Sequence, residues 1–215
     1  MKNTVVKVLV IASVVSPVAV FAQTGKTPPT TATYIMKEEI DKVGATEQSK
    51  STRDENVKIV GLGYENFAVG VVHRASTRTP APPAAAGGGG AAGQAQPCGR
   101  AMAALPAGGT PGGITHDSQT EGYIITSGGG TMFTDGYIVN GRHNAQDPQG
   151  GPNGPTCGGM AYGVKKVIVK VGDVVIVPPG VVHGWADIPD HVDYLSFRPS
   201  QNLMQAGWVN PTLAK

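Results

Sequence analysis

The chain has 215 residues and is nearly neutral, with 17 Lys and Arg against 15 Asp and Glu and a formal charge of +2. This length fits one domain that buries its own core, and the charge gives no sign of a nucleic-acid partner. Only glycine and proline are unusual, at 31 and 17 residues. They cluster in a few segments, which predicts long loops rather than a repeat.

Residues 1–22 are predicted to be a signal peptide. Lys2 and Lys7 precede an apolar run over residues 8–20, and small residues near Ala22 suit cleavage by a signal peptidase. An uncleaved membrane anchor is the weaker alternative, because the run contains Ser and Pro and is shorter than the ~20 apolar residues of a spanning helix. We therefore expect a periplasmic or secreted protein with no membrane contact after cleavage.

An N-terminal extension is predicted over residues 23–56, with one short helix. Residues 23–33 are rich in Thr and Pro and are expected to lie loosely on the surface. Residues 34–43 then place apolar side chains among Lys and Glu in an amphipathic pattern that ends before Gly44.

From residue 57 onward the sequence predicts short strands. β-branched and aromatic residues dominate eight runs, at residues 57–60, 67–73, 123–126, 131–139, 164–171, 174–177, 181–185 and 194–197. Two Gly- and Pro-rich segments, 79–113 and 140–159, are predicted to be surface loops. Many short strands with little helix predict an all-β sandwich or barrel over residues 57–200, followed by a C-terminal tail at 201–215.

The two cysteines, Cys98 and Cys157, lie in these two loops. In the oxidising environment expected for an exported chain they predict one disulfide, with two unpaired thiols as the alternative. Their spacing fits none of the paired Cys-x-x-Cys patterns of zinc sites.

His116 and Glu121 form the first candidate metal-binding pair. On one straight strand they would face opposite sides, since their separation is odd. The turn-forming residues 117–120 predict instead that the chain reverses and brings Glu121 back beside His116 on a neighbouring strand.

His183 is the third candidate ligand. An apolar strand at residues 174–177 runs into a Pro-Pro-Gly turn, after which Val181, His183 and Trp185 alternate onto one face. His183 should therefore point into an apolar interior. Two imidazoles and one carboxylate form a set with open coordination positions, which suits one divalent ion of Fe, Mn, Zn or Ni.

These two segments resemble the two conserved motifs of the cupin superfamily. The first motif, G-x5-H-x-H-x3,4-E-x6-G, is matched at Gly108, His116, Glu121 and Gly128. The second, G-x5-P-x-G-x2-H-x3-N, is matched at Gly172, Pro178, Gly180 and His183. The resemblance covers about residues 108–198 and implies a double-stranded β-helix, or jelly-roll barrel, with His116, Glu121 and His183 as metal ligands.

The chain departs from the cupin motifs at Ile114, where the family has its first histidine, and at Asp187, where it has asparagine. Ile114 either weakens the site or leaves a position free for water, dioxygen or a chelating substrate. His73 ends a strand and is a possible extra ligand from across the barrel. A surface histidine beside Arg74 is the alternative interpretation.

Several other side chains are candidates for the pocket. Its predicted walls are Ile114, Tyr123, Phe133 and Trp185, although each aromatic residue could equally belong to the core. Arg198 could bind an anionic substrate at the barrel mouth, with an exposed arginine near the chain end as the alternative. His143 and His191 lie in polar loops and receive no role.

The residues and the resemblance together predict a divalent-metal-dependent enzyme that acts on a small molecule. The resemblance implies oxygenases, lyases, isomerases and sugar-modifying enzymes, and the open ligand positions slightly favour an oxygenase acting on a diol, keto acid or phenol. The alternative is a non-catalytic cupin that binds a small molecule or carbohydrate after losing full metal ligation. Because cupins commonly pair through edge strands, we also expect a homodimer, with the helix at 34–43 as a possible contact.

Overall fold

The structure is a computed structural model that describes residues 27–46, 53–78, 96–144, 154–201 and 203–214. The predicted signal peptide and parts of the two Gly- and Pro-rich segments, 79–95 and 145–153, lie outside the described residues. Within the described ranges, no helix has the length and apolar character needed to cross a membrane.

The described ranges form one α-helix, eleven strands and a final 3-10 turn. In chain order these are α1 (Lys37–Gly44), β1 (Arg53–Gly61), β2 (Asn66–Ala75), β3 (Pro97–Cys98), β4 (Thr110–His116), β5 (Glu121–Thr134), β6 (Tyr137–Asn144), β7 (Thr156–Tyr162), β8 (Lys165–Lys170), β9 (Val174–Val177), β10 (His183–Asp187), β11 (His191–Ser200) and the turn Pro211–Leu213.

The strands form two antiparallel layers that share β5. One layer contains β1, β2, β11, the first half of β5 and β9. The other contains β8, the second half of β5, β10, β4, β7, β6 and β3. From β8 to β11 the chain alternates between the layers. This is the winding of a double-stranded β-helix, so the predicted all-β jelly-roll barrel is confirmed.

Strand β5 passes from one layer to the other at three consecutive glycines. Gly128 has φ 63°, a left-handed conformation, and a Cβ on Gly129 would lie 2.6 Å from the carbonyl oxygen of Val169. Only glycine fits this crossing without strain. The glycines therefore bend one long strand, whereas the sequence predicted that they separate two strands.

The break in this region comes later, between β5 and β6. Asp135 and Gly136 have φ 67° and 74°, and this two-residue turn in the left-handed region ends β5 before β6 begins. The predicted strand at 131–139 is therefore wrong, because it runs through this turn.

The predicted loops at 79–113 and 140–159 are also partly wrong, since they contain β3 and parts of β4, β6 and β7. Glycine-rich strands pack closely here: a Cβ on Gly113 would lie 2.8 Å from the Cβ of Ala161, and one on Gly159 would lie 3.0 Å from the Cα of Gly141. The glycines that resemble a loop in sequence are required for this close approach.

The predicted disulfide is confirmed, with Cys98 on β3 bonded to Cys157 on β7 and a Cα–Cα distance of 5.9 Å. The bond passes over Gly141 of the intervening strand β6, where a Cβ would lie 3.0 Å from the Cys157 sulfur. It therefore secures the very short strand β3 to the barrel.

The chain beyond residue 200 is part of the fold rather than a separate tail. The N–H of Ile59 donates to the carbonyl of Trp208 over 2.9 Å, and the N–H of Asn210 donates to the carbonyl of Val57 over 3.0 Å. Met204 is buried in a small cluster with Ile59. This segment pairs along the edge of β1 that does not face β2.

Candidate metal centre

The three predicted ligands meet inside the barrel. Nε2 of His116 lies 3.3 Å from Oε2 of Glu121, and Nε2 of His183 lies 3.1 Å from the same oxygen. All three side chains are almost completely buried, at 2–4% exposure. Within the described ranges they are the one group of His, Cys, Asp or Glu side chains close enough together to hold a metal ion.

Strand register explains why these side chains converge. His183 lies opposite both Ile114 of β4 and Thr134 of β5, so β10 runs between these two strands. Glu121 begins β5 in the other layer, where it pairs with Val177. The turn at 117–120 therefore carries Glu121 across the barrel to face the histidines, and not onto a strand paired with β4 as the sequence analysis expected.

His183 is oriented by the backbone of its own turn. Its Nδ1 donates to the carbonyl oxygen of Val181 over 3.1 Å, which leaves Nε2 as the nitrogen that faces Glu121. Such a second hydrogen bond fixes the ring orientation and tautomer of many metal-binding histidines. Nδ1 of His116, in contrast, is buried without a partner among the described residues.

Both carboxylate oxygens of Glu121 accept hydrogen bonds from neighbouring side chains. Nε of Arg198 donates to Oε1 over 2.5 Å, and the hydroxyl of Tyr123 donates to Oε2. Burial raises the pKa of Glu121, but Arg198 and the two imidazoles more than offset this and keep the pKa well below its usual range. Burial and the neighbouring Glu121 raise the pKa of Tyr123, so the tyrosine is a neutral donor beside an ionised carboxylate.

The geometry fits one divalent cation. Two ligand atoms bonded to the same ion at about 2.1 Å lie ~3.0–3.4 Å apart for angles between the octahedral and tetrahedral values, and the observed 3.1 and 3.3 Å fall in this range. Because Oε2 is the oxygen that lies close to both imidazoles, Glu121 would bind the ion through Oε2. His116, Glu121 and His183 would thus hold the ion, with Ile114 leaving a further position open to the cavity.

A cavity of about 700 Å³ adjoins these residues. Ile114, Tyr123 and Trp185 line it, where the sequence analysis placed pocket walls. Phe133 does not: it is 0% exposed and packs with Ile138 in a separate core cluster. Phe133 follows Met132 on β5, and alternation along the strand turns these two side chains into different clusters.

His73 does not join the site, so its prediction as an extra ligand is wrong. Its Nδ1 lies 2.6 Å from Oδ1 of Asp193 on the outer side of the first layer, with 30% of the side chain exposed. Arg74, the next residue on β2, takes the inward position. His143 and His191, which received no role, pair with Asp117 and Asp190 on the surface.

Arg198 contradicts both predictions made for it, since it is neither at the mouth nor exposed. Its side chain is 1% exposed and bridges Glu121 and Asp54. It follows the inward alternation of Val192, Tyr194 and Ser196 along β11. The cavity-lining residues that sequence reasoning missed include Asp54, Arg74 and Tyr194. The available signal was alternation, since Arg74 lies two residues beyond the buried Val72.

Comparison with known proteins gives few matches. No family model and no curated protein matches the chain. Solved structures similar to it include a cupin protein from Bacteroides fragilis, with 16% identity over 69% of this chain and 76% of that chain and a TM-score of 0.29. An uncharacterised Klebsiella pneumoniae protein with a double-stranded β-helix domain has 12% identity over 69% and 80% of the two chains and a TM-score of 0.30.

A third structure, Peruvianin-I, described as a cysteine peptidase from Thevetia peruviana latex, has 15% identity over 93% of both chains and a TM-score of 0.28. Because all three TM-scores are low, the fold assignment depends on the strand order and register. The winding of the strands and the positions of the two motifs within it agree with the cupin resemblance.

Proposed function

We propose that the protein is a divalent-metal-dependent enzyme that acts on a small molecule. The observation that carries this proposal is the convergence of two imidazole nitrogens and one carboxylate oxygen at the wall of a cavity of about 700 Å³. Sites with two histidines, one carboxylate and open positions are typical of metal-dependent oxygenases, so we favour oxygenase over lyase or isomerase chemistry.

The bound ion would supply Lewis acidity or oxygen activation. The chain's own residues would prepare the site for this. Arg198 keeps Glu121 ionised and fixes one of its oxygens, and Val181 orients His183. Ile114 and Trp185 provide apolar walls beside the ligands. Tyr123 directs its hydroxyl to Glu121 from the cavity wall, where it can hold a proton.

A non-catalytic binding protein is the second candidate, and one observation favours it. Both oxygens of Glu121 already accept hydrogen bonds from Arg198 and Tyr123. The buried carboxylate is therefore satisfied by protein groups alone, as it would be in a barrel that captures a ligand without a metal.

Elemental analysis of protein purified without chelator distinguishes the two candidates. We expect about one equivalent of Fe, Mn, Zn or Ni per chain, lost in His183→Ala because three ligands become two. His143→Ala is the matched control, since this surface histidine should leave the metal content unchanged. A wild-type protein that stays metal-free after incubation with each ion would exclude the enzyme. For a metal-loaded protein, oxygen uptake with small phenols and keto acids then tests the oxygenase assignment.

A further inference from the structure

Arg74 is a partly buried cation whose donors are largely unused. It lies on the inward face of β2 and lines the cavity. Its side chain makes one long hydrogen bond among the described residues, 3.5 Å from Nε to the hydroxyl of Tyr194. Among the described residues, no carboxylate forms an ion pair with it, and its two terminal amino groups have no hydrogen-bond partner. The planar guanidinium presents these amino groups in a geometry that matches both oxygens of a carboxylate.

The other two arginines close to the cavity are already paired. Arg198 bridges Glu121 and Asp54. Arg78 forms a two-point contact with Asp187, with distances of 2.9 and 2.6 Å. Of the three guanidinium groups, Arg74 is therefore the one free to bind an incoming anion.

Arg74 remains charged in this position. Burial lowers its pKa, but Tyr194 and Asp54 more than offset this effect, so the net pKa lies above the ordinary arginine value. A guanidinium held in a largely buried site forms strong, two-point hydrogen bonds with a carboxylate.

Aromatic side chains connect Arg74 to the metal-binding residues. Tyr194 touches Arg74 and packs on Tyr123 with ring centroids 4.5 Å apart, and Tyr123 in turn donates to Glu121. Trp185 lies 6.0 Å from Tyr194, also measured between ring centroids. Ile114 and Ile188 add apolar surface. The cavity thus offers a cation, an aromatic and apolar wall, and then the two histidines and the glutamate.

We infer that the cavity binds a small aromatic carboxylate, with its carboxylate on Arg74 and its opposite end towards His116, Glu121 and His183. The inference names the substrate class of the proposed enzyme, and to that extent it depends on the proposed function. The contact with Arg74 itself needs no metal. The competing account is that Arg74 only balances the charge of Asp54 and Glu121, which share Arg198.

Binding of benzoate and of its neutral analogue benzamide separates these accounts. Titrations are followed by calorimetry and by tryptophan fluorescence, to which Trp185 in the cavity wall contributes. In the wild type we expect benzoate to bind about tenfold or more tightly than benzamide, as charge-assisted hydrogen bonds would give. Arg74→Gln should reduce benzoate affinity to the benzamide level, whereas the matched variant Arg78→Gln should change it less than about threefold.

Equal binding of benzoate and benzamide to the wild type, or full benzoate affinity in Arg74→Gln, would overturn the inference. If Arg74→Gln does not fold, as judged by circular dichroism, Arg74→Lys takes its place, since it keeps the charge but loses the two-point contact. A benzoate affinity lost in His183→Ala but kept in both Arg74 variants would place the carboxylate on the metal and would also overturn it.

Metal content measured on the same samples separates this inference from the proposed function. If the protein binds benzoate selectively but takes up no metal, Arg74 remains the anion site and the proposal of a metal-dependent enzyme is rejected. If the protein binds metal but does not prefer benzoate to benzamide, the anion site at Arg74 is rejected and the proposed metal centre is retained.

Discussion

Gly70 makes room for the charge network that supports the candidate metal centre. It lies on β2 opposite Ser196 of β11. A Cβ at this position would lie 2.7 Å from the Ser196 hydroxyl, 2.9 Å from the carbonyl oxygen of Glu55 and 3.1 Å from Nη1 of Arg198. The missing side chain therefore lets the Arg198 guanidinium lie over β2 and reach both Asp54 and Glu121.

Gly70→Ala should destabilise the protein by about 1–3 kcal/mol, because an added methyl group in a tightly packed interior forces its neighbours to move. Urea denaturation measures the change in the free energy of unfolding. The matched control is Gly122→Ala on β5, where a Cβ would make an ordinary contact of 3.6 Å with Phe197. Equal stability of the two variants would show that Arg198 does not need this space.

The three candidate ligands could be predicted from the sequence, but the arginines around them could not. Two motifs with fixed spacing identify His116, Glu121 and His183. Whether an arginine near the end of a strand is buried depends on a partner elsewhere in the chain, and the Asp54 that pairs with Arg198 is 144 residues away. Local alternation indicates which way a side chain points, but not whether its charge is compensated there.

At the scale of whole elements, the valine- and isoleucine-rich strands were predicted within a few residues and the glycine-rich strands were missed. β9 consists entirely of β-branched residues and β8 has three of them in a row, and such residues favour strands. β7 has one β-branched residue, Thr156, and a Cβ on its Gly159 would lie 2.9 Å from Cγ2 of Ile138 and 3.0 Å from Cα of Gly141, both on β6. Such contacts involve distant segments, so the local pattern cannot reveal them.

Removing the disulfide should loosen β3 while leaving the metal centre in place. Chain-entropy arguments for a link spanning 59 residues predict that Cys98→Ser/Cys157→Ser lowers the free energy of unfolding by about 2–4 kcal/mol. The metal-binding strands should be retained, because β4 pairs with β7 and β10 through backbone hydrogen bonds.

Urea denaturation and metal content of the double variant, beside wild-type protein with and without reductant, provide the measurement. An unchanged urea midpoint would mean that the disulfide does not constrain the unfolded chain. Loss of the metal together with the disulfide would mean that β3 supports the site. A disulfide also fits the exported location proposed from the signal peptide.

Across the whole molecule, exposed apolar residues concentrate at the free edges of the two layers. Ile168 on β8 is 81% exposed, and Val174 and Ile176 on β9 are 63% and 70% exposed. A second cavity of about 320 Å³ lies between these two strands. Sheet edges with exposed apolar residues are favourable places for another chain to pair, but the homodimer stays a prediction.

Light scattering after size exclusion tests the homodimer. If two chains associate at these edges, Ile168→Lys/Ile176→Lys should reduce the mass from two chains to one. Stability of the single chain should change by less than about 0.5 kcal/mol, because both side chains are exposed. The matched control is Leu105→Lys, at a residue that is 56% exposed and outside both strands. A wild-type mass of one chain at micromolar concentration contradicts the homodimer.

The crossing of β5 also affects how the barrel can move. Glu121 belongs to one layer and the two histidines to the other, so any separation of the layers widens the gap between carboxylate and imidazoles. An ion bonded to all three atoms would act as a cross-link between the halves of the barrel. Motions that separate the two layers would then be restricted by one ion in the interior of the barrel.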